Sequence, residues 1–169
     1  MNSSKKLEKF QKVIKDNRGI LYKVINIYCK NIEDRKDLEQ EILIQLWKSL
    51  SNYNKNYKIS TWVYKIAMNV SISFYRKNKV RNLATHLSID SIFIEKEYKF
   101  QSDEFKEKRD ILNIFINKLN EFDKAIIILY LEEYNYKEIS DIVGISETNV
   151  GTKINRIKNK LKNNINYGI

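Results

Sequence analysis

Gly144 separates two apolar stripes of helical spacing, and this break constrains the chain more than any other feature. Residues 136–161 read YKEISDIVGISETNVGTKINRIKNKL. Ile139, Ile142 and Val143 fall on one face of a short helix. Gly144 can take the left-handed backbone that ends a helix, and Ser146 can cap the next one. Val150, Ile154, Ile157 and Leu161 then recur at four, three and four residues, a stripe that a helix must bury. The opposite face carries Asn149, Gly151, Thr152, Lys153, Arg156 and Lys160. Two helices joined by so tight a turn fit a DNA groove, with the second helix as the reader. Ser140 agrees with this, because a bulky side chain there would push the helices apart. The alternative is a pair of ordinary bundle helices with a solvated basic face.

The rest of the chain points to helices as well. It has 169 residues, no proline and four glycines, and long periodic stretches dominate it. The expected fold class is therefore all-α, as two small helical domains joined by a linker. One cysteine, Cys29, excludes a disulfide framework, and with a single histidine, His86, it cannot supply an ordinary zinc site. No metal and no cofactor are expected. Cys29 is expected as a packed core thiol and His86 in a solvated loop. The N-terminal MNSSKKLEKFQKVIKDN has no apolar core, so it does not read as a secretory signal. The apolar run at 125–131 is too short to insert into a membrane. A reducing, cytoplasmic setting is the expectation.

Charge is placed unevenly. The net charge is +10, which a Lys- and Asn-rich coding bias alone could produce. Yet residues 42–89 carry eight bases and no acid, and residues 148–169 five bases and no acid. Residues 90–147, between them, carry fourteen acids against eight bases. A general bias toward Lys does not clear acids from two separate windows. Two cationic surfaces divided by an acidic stretch suit two contacts on one nucleic acid.

Four helical stretches precede the Gly144 break. The first runs over 5–29 and breaks near Gly19, with Phe10, Val13, Ile14, Leu21, Val24, Ile25 and Tyr28 as its buried face. The second, over 33–50, carries the stripe Leu38, Ile42, Leu43, Leu46, Trp47 and Leu50. Residues 51–59 form a loop, and a third helix begins at Ser60 as cap and reaches Lys79. Residues 80–108 are polar and weakly periodic, a linker with some helix in which 92–94 could dock locally. The last stretch gives helices over 110–119 and 121–132. The expected domains are 1–80 and 109–169, with a linker over 81–108.

Two faces of the first domain carry the chemistry. Asp37 and Glu41, four residues apart on one helix face, repel weakly unless something offsets them, and Gln40 projects beside them. A basic protein partner would offset them. So would the helix dipole, or Lys36 and Arg35 nearby. The third helix, STWVYKIAMNVSISFYRKNK, sets Trp62, Val63, Ile66, Ala67, Val70 and Phe74 along one side. Lys65, Asn69, Ser73, Arg76 and Lys77 lie largely on the other, with Tyr64, Met68 and Tyr75 at the edges. Cations, amides and aromatics beside an exposed loop suit single-stranded nucleic acid. Trp62 falls on the apolar side of this register and is expected in the core.

Three segments in this order resemble the small, two-domain, extracytoplasmic-function group of bacterial RNA polymerase sigma factors, within the sigma-70 family. DLEQEILIQLW at 37–47 is similar to the helix that grips the clamp of the polymerase largest subunit. ISTWVYKIAMN at 59–69 resembles the segment that opens and captures the minus-ten promoter element. Residues 119–161 resemble the domain that reads the minus-thirty-five element, in which second-largest-subunit flap contact is also implied. The resemblance spans residues 15–162. It implies a region 2-like bundle, a region 4-like helix–turn–helix domain, and a linker threaded through the polymerase.

By that resemblance Asp37, Gln40 and Glu41 are polymerase-binding. Lys58, Lys65, Asn69, Ser73, Arg76, Lys77 and the 54–58 loop hold minus-ten DNA. Lys137, Asn149, Thr152, Lys153 and Arg156 meet minus-thirty-five DNA, with Arg156 on guanine or phosphate and Lys153 and Lys158 on phosphates. Core polymerase and promoter DNA are the implied partners, and an inhibitory anti-sigma partner is compatible with the family. Ser73, Asn120, Asn149 and Gly151 depart from the common Asp, Pro, Thr and Lys or Arg of relatives. The competing reading is a free-standing helix–turn–helix regulator with an N-terminal dimerisation or sensing module. Catalysis is not expected: there is no Gly-rich phosphate loop and no nucleophile in evident relation to a base.

Overall fold

The computed structural model describes residues 3–29, 31–83 and 103–166. Among these residues there are eight α-helices, one short 3-10 turn and no strand. They fall into two compact units, Met1–Leu87 and Ser88–Ile169. The all-α reading holds. The expectations for His86, for 92–94 and for most of the 81–108 linker lie outside the described residues.

The first unit contains α1 (Ser3–Asp16), α2 (Arg18–Tyr28), α3 (Ile32–Ser49) and α4 (Ile59–Leu83). The break between α1 and α2 falls at Asn17, two residues before the expected Gly19. Asn17 is buried, and its Nδ2 donates to the Val13 carbonyl at 2.8 Å, closing α1 through a side chain. Short polar side chains compete with the backbone in this way, whereas Gly19 is accommodated inside the first turn of α2. Asn31 caps α3 by accepting from the Glu33 N–H at 3.0 Å, and Glu33 and Asp34 sit in that first turn, where the helix dipole favours them. The start of α4 precedes Ser60: the Trp62 N–H already reaches the Lys58 carbonyl at 3.2 Å, so Ser60 lies within the first turn and is not the cap.

Helices α2, α3 and α4 pack on one another. Leu21, Val24 and Ile25 of α2 meet a core completed by Leu38, Ile42 and Leu46 of α3. Each such aliphatic side chain contributes about 1.5–3 kcal/mol as an upper bound. The contribution of α4 differs from the sequence expectation. Its buried arc is Val63, Tyr64, Ala67, Met68, Ser71, Ile72 and Phe74, while Trp62, Ile66 and Val70 are only half-buried. The helix is apolar over most of its circumference, so hydrophobic spacing alone could not orient it. Cys29, just past α2, is a buried free thiol as expected, and burial first, then Asp34, pushes it up to about 12.

The second unit is built on α6 (Glu121–Leu131), α7 (Tyr136–Val143) and α8 (Glu147–Asn166), which pack mutually, with α5 (Asp103–Lys118) against α6. Helices α4 and α5 therefore both run into the segment expected as linker. Asn120 caps α6, its Oδ1 accepting from the Phe122 and Asp123 N–H groups at 3.1 and 2.8 Å. An asparagine, one of the residues most favoured at an N-cap, thus starts the helix. A reciprocal capping box starts α7: Asn135 Oδ1 accepts from the Glu138 N–H at 2.9 Å, and Glu138 Oε2 accepts from the Asn135 N–H at 3.2 Å. Ile126, Leu129, Ile139, Ile142, Val150 and Ile154 are fully buried between these helices.

Candidate functional site

The turn between α7 and α8 is held by three local interactions. Gly144 has φ 76°, the left-handed conformation its lack of a β-carbon allows, and its N–H closes α7 on the Ser140 carbonyl at 2.9 Å. Ser146 Oγ accepts from the Asn149 N–H at 3.3 Å, capping α8. Ser140 does more than stay small, because its Oγ donates to the Ile145 carbonyl at 2.6 Å across the turn. With Val150, Ile154 and Ile157 buried, α8 presents Asn149, Thr152, Arg156 and Lys160 to solvent, and Lys137 is exposed on α7.

Two cations expected on phosphates bond to side chains of α6. Lys153 points back to α6, where its Nζ lies 2.6 Å from Asp123 Oδ1. Burial acts to raise the Asp123 carboxyl, but hydrogen bonds from Lys153 and Asn120 and the charges of Lys153 and Arg156 carry it below the ordinary value. Lys158, expected on a phosphate, donates to Tyr130 Oη at 2.7 Å, and that bond holds its ammonium above the usual lysine range. Gly151 is half-buried: a β-carbon there would stand 3.3 Å from the Tyr136 ring. The sequence shows only a missing cation at this position. The structure shows the seat of an aromatic ring.

In the first unit, Lys65, Asn69, Ser73 and Arg76 are exposed along α4, as expected. Helical geometry puts Trp62 and Ile66 on this same face, one turn from Lys65 and Asn69. Trp62, expected in the core, is of intermediate exposure, and its ring lies 5.2 Å from the Tyr53 ring in the preceding loop. That loop has internal order: Asn54 Oδ1 accepts from the Asn56 N–H at 2.9 Å, and Tyr53 Oη donates to the Tyr57 carbonyl at 2.6 Å. Its Lys55, Tyr57 and Lys58 side chains remain exposed. Ser73 Oγ is turned to the Asn69 carbonyl at 2.9 Å, within its own helix.

A cavity of about 270 Å³ opens between α3 and α4, lined by Asp34, Asp37, Gln40, Glu41, Ile44, Phe74, Lys77 and Asn78. All three residues expected to meet a protein partner lie in it. Ile44 is 51 % exposed here, which supplies an apolar floor beside the carboxylates. Arg35, one of two cations that could have neutralised them, donates through Nε to the Cys29 carbonyl at 3.0 Å. Lys77, expected from sequence in the minus-ten group, is exposed and also lines this acidic groove. Its position one turn beyond Ser73 and next to Phe74 carries it toward α3. Among the described residues no helix is long and apolar enough to cross a membrane.

Comparison with known proteins gives two matches in the same order as these surfaces. The model for Sigma-70 region 2 matches residues 13–81, covering the groove and the α4 face, and that for Sigma-70 region 4 matches residues 113–161, covering the helix–turn–helix. The chain is 28 % identical over 151 residues to the ECF RNA polymerase sigma factor SigM of Bacillus subtilis, spanning 88 % of this chain and 90 % of that one. It is 28 % identical over 139 residues to RNA polymerase sigma factor YlaC of the same organism, spanning 80 % and 79 %. Its fold is similar to that of the sigma factor RpoE in complex with the anti-sigma factor NepR from Bartonella quintana, with a TM-score of 0.66 at 18 % identity over 90 % of this chain and 93 % of that one. With both family regions present in sequence and a fold to match, the chain belongs to the sigma-70 family of RNA polymerase sigma factors, in its extracytoplasmic-function group.

Proposed function

We propose that this sigma factor acts in the cytoplasm as a dissociable specificity subunit, binding core RNA polymerase and directing promoter recognition, DNA melting and initiation. The observation that carries the reading is the α3–α4 groove, which gathers Asp37, Gln40 and Glu41 around Ile44 and Phe74. Exposed carboxylates around a small apolar floor suit a basic helix bearing one or two apolar side chains, as a polymerase clamp would offer. The second unit meets the flap of the second-largest subunit.

Strand opening needs no bond cleavage by this chain. Contacts to unpaired bases and phosphates offset the stacking lost on melting. Trp62 stacks on a displaced minus-ten base, Lys58, Lys65 and Arg76 hold phosphates, and Asn69 and Ser73 supply hydrogen bonds. In the second unit Asn149, Thr152 and Arg156 enter the major groove, and Lys137 meets a flanking phosphate. Neutralising about five phosphates would give a log–log salt slope of roughly −4.5.

Mixing the purified chain with bacterial core polymerase tests this directly. A sigma factor restores transcription from defined start sites on genomic fragments. A free-standing regulator binds a duplex by itself and restores no initiation. An anti-sigma partner, like the one in the RpoE complex, would act by covering one of these surfaces.

A further inference from the structure

We propose that Asp123 is a positioning residue that locks the rotation of the recognition helix α8 through Lys153, and that Lys153 is a strut within the protein and not a phosphate contact. The inference rests on the reading of α8 as the duplex-reading helix and adds what aims it. Asp123 sits in the first turn of α6, and only 4 % of its side chain is exposed. Both carboxylate oxygens are engaged: Oδ2 accepts from Asn120 Nδ2 at 2.9 Å and Oδ1 from Lys153 Nζ at 2.6 Å. Asn120 is itself fixed, because its own Oδ1 caps α6. The Lys153 ammonium lies 5.5 Å from the centre of the Phe122 ring, which covers it on one side. The lysine is thus met by a charge, an aromatic face and a helix start that are already ordered.

An apolar stripe fixes how deep a helix sits but resists rotation weakly, because aliphatic contacts are not directional. Val150, Ile154 and Ile157 form that stripe in α8. A short, charge-assisted hydrogen bond to a buried carboxylate is directional, and it falls between Thr152 and Arg156, the residues turned outward. Swinging Lys153 to a DNA phosphate would leave a buried carboxylate with only its asparagine partner, which is strongly unfavourable. Arg156 feels the same carboxylate electrostatically but stays exposed, so the two cations divide the work.

The test uses holoenzyme reconstituted with bacterial core polymerase and a duplex selected by that holoenzyme from a random-sequence library, with a scrambled duplex as reference. Three chain variants are compared with the parent: Lys153→Met, Asp123→Asn and Lys153→Arg. The inference expects Lys153→Met and Asp123→Asn each to lower the selected-to-scrambled affinity ratio about tenfold, the scale of one misaligned base contact. The salt slope stays unchanged, and Lys153→Arg, which keeps the pair, restores the ratio. A slope shallower by about 0.9 in Lys153→Met would mark a lost phosphate contact and overturn the inference. So would an unchanged ratio in either folded variant, since a purely stabilising pair would alter the melting temperature alone. Arg156→Gln separates the two levels. If it too leaves both slope and ratio unmoved, the placement of α8 on DNA fails together with the strut.

Discussion

The ring of Tyr53 lies 5.2 Å from that of Trp62, with their planes inclined at 57°. The contact ties the loop before α4 to the first turn of the helix and holds Trp62 half-buried on the face that carries Lys65, Asn69 and Arg76. A partly exposed aromatic ring beside cations and amides is suited to receive a base.

Trp62→Ala is therefore expected to weaken holoenzyme binding to a template with a pre-opened minus-ten bubble by about tenfold or more, since stacking contributes roughly 1–3 kcal/mol per base. Trp62→Phe keeps a ring and should retain most of the affinity. Equal loss in both variants would show that packing, and not stacking, is what the residue supplies.

The Asp123 pair predicts an acid-sensitive second unit. Its carboxyl is held below the ordinary value in the folded chain, so its stabilisation is fully present above the unfolded value near about 3.9 and is lost as pH falls through the lower folded one. Urea unfolding of the parent and of Asp123→Asn, followed downward from about pH 6, should show a stability gap that closes in the acid range. A gap independent of pH would place the carboxylate elsewhere than on Lys153, Asn120 and Arg156.

Ser71 sits at the middle of the buried arc of α4, with no accessible surface and no hydrogen-bond partner for its Oγ among the described residues. An unpaired buried hydroxyl costs about 1–3 kcal/mol. Ser71→Ala should raise unfolding free energy by about 1 kcal/mol, read as a higher denaturant midpoint at unchanged slope. A lower midpoint would mean that the hydroxyl is satisfied.

What is legible in the sequence is local. Gly144, Ser146 and the Val150–Ile154–Ile157 spacing all lie within a few residues of the turn they build, so the helix–turn–helix can be read from the residues alone. What is not legible lies far apart along the chain. Lys153 and Asp123 are 30 residues apart, and Lys158 and Tyr130 are 28 apart, so no periodicity reveals that these cations bond to side chains of the protein itself. Tyr136 on Gly151 is hidden for the same reason. The rotation of α4 escapes the spacing because apolar residues surround the helix, and Trp62 is expected inside in consequence. Asn17 displaces Gly19 as the α1–α2 break because a side-chain bond to Val13 outweighs glycine's conformational freedom. For the acidic patch on α3, spacing leaves a protein partner and local neutralisation both open, and the proposed polymerase contact takes up the first. The cavity that surrounds it supports the same choice.

The central claim is that the α3–α4 groove is where polymerase holds this protein. Its most direct test is the affinity of the purified chain for bacterial core polymerase, measured for the parent and for the Asp37→Lys, Glu41→Lys double variant at matched salt. Charge reversal at exposed positions should leave the melting temperature within a few degrees and lower the affinity by about 100-fold or more, because interfacial charge pairs typically cost about 2–5 kcal/mol when broken. An affinity equal to the parent's, in a variant that is still folded, would contradict the account.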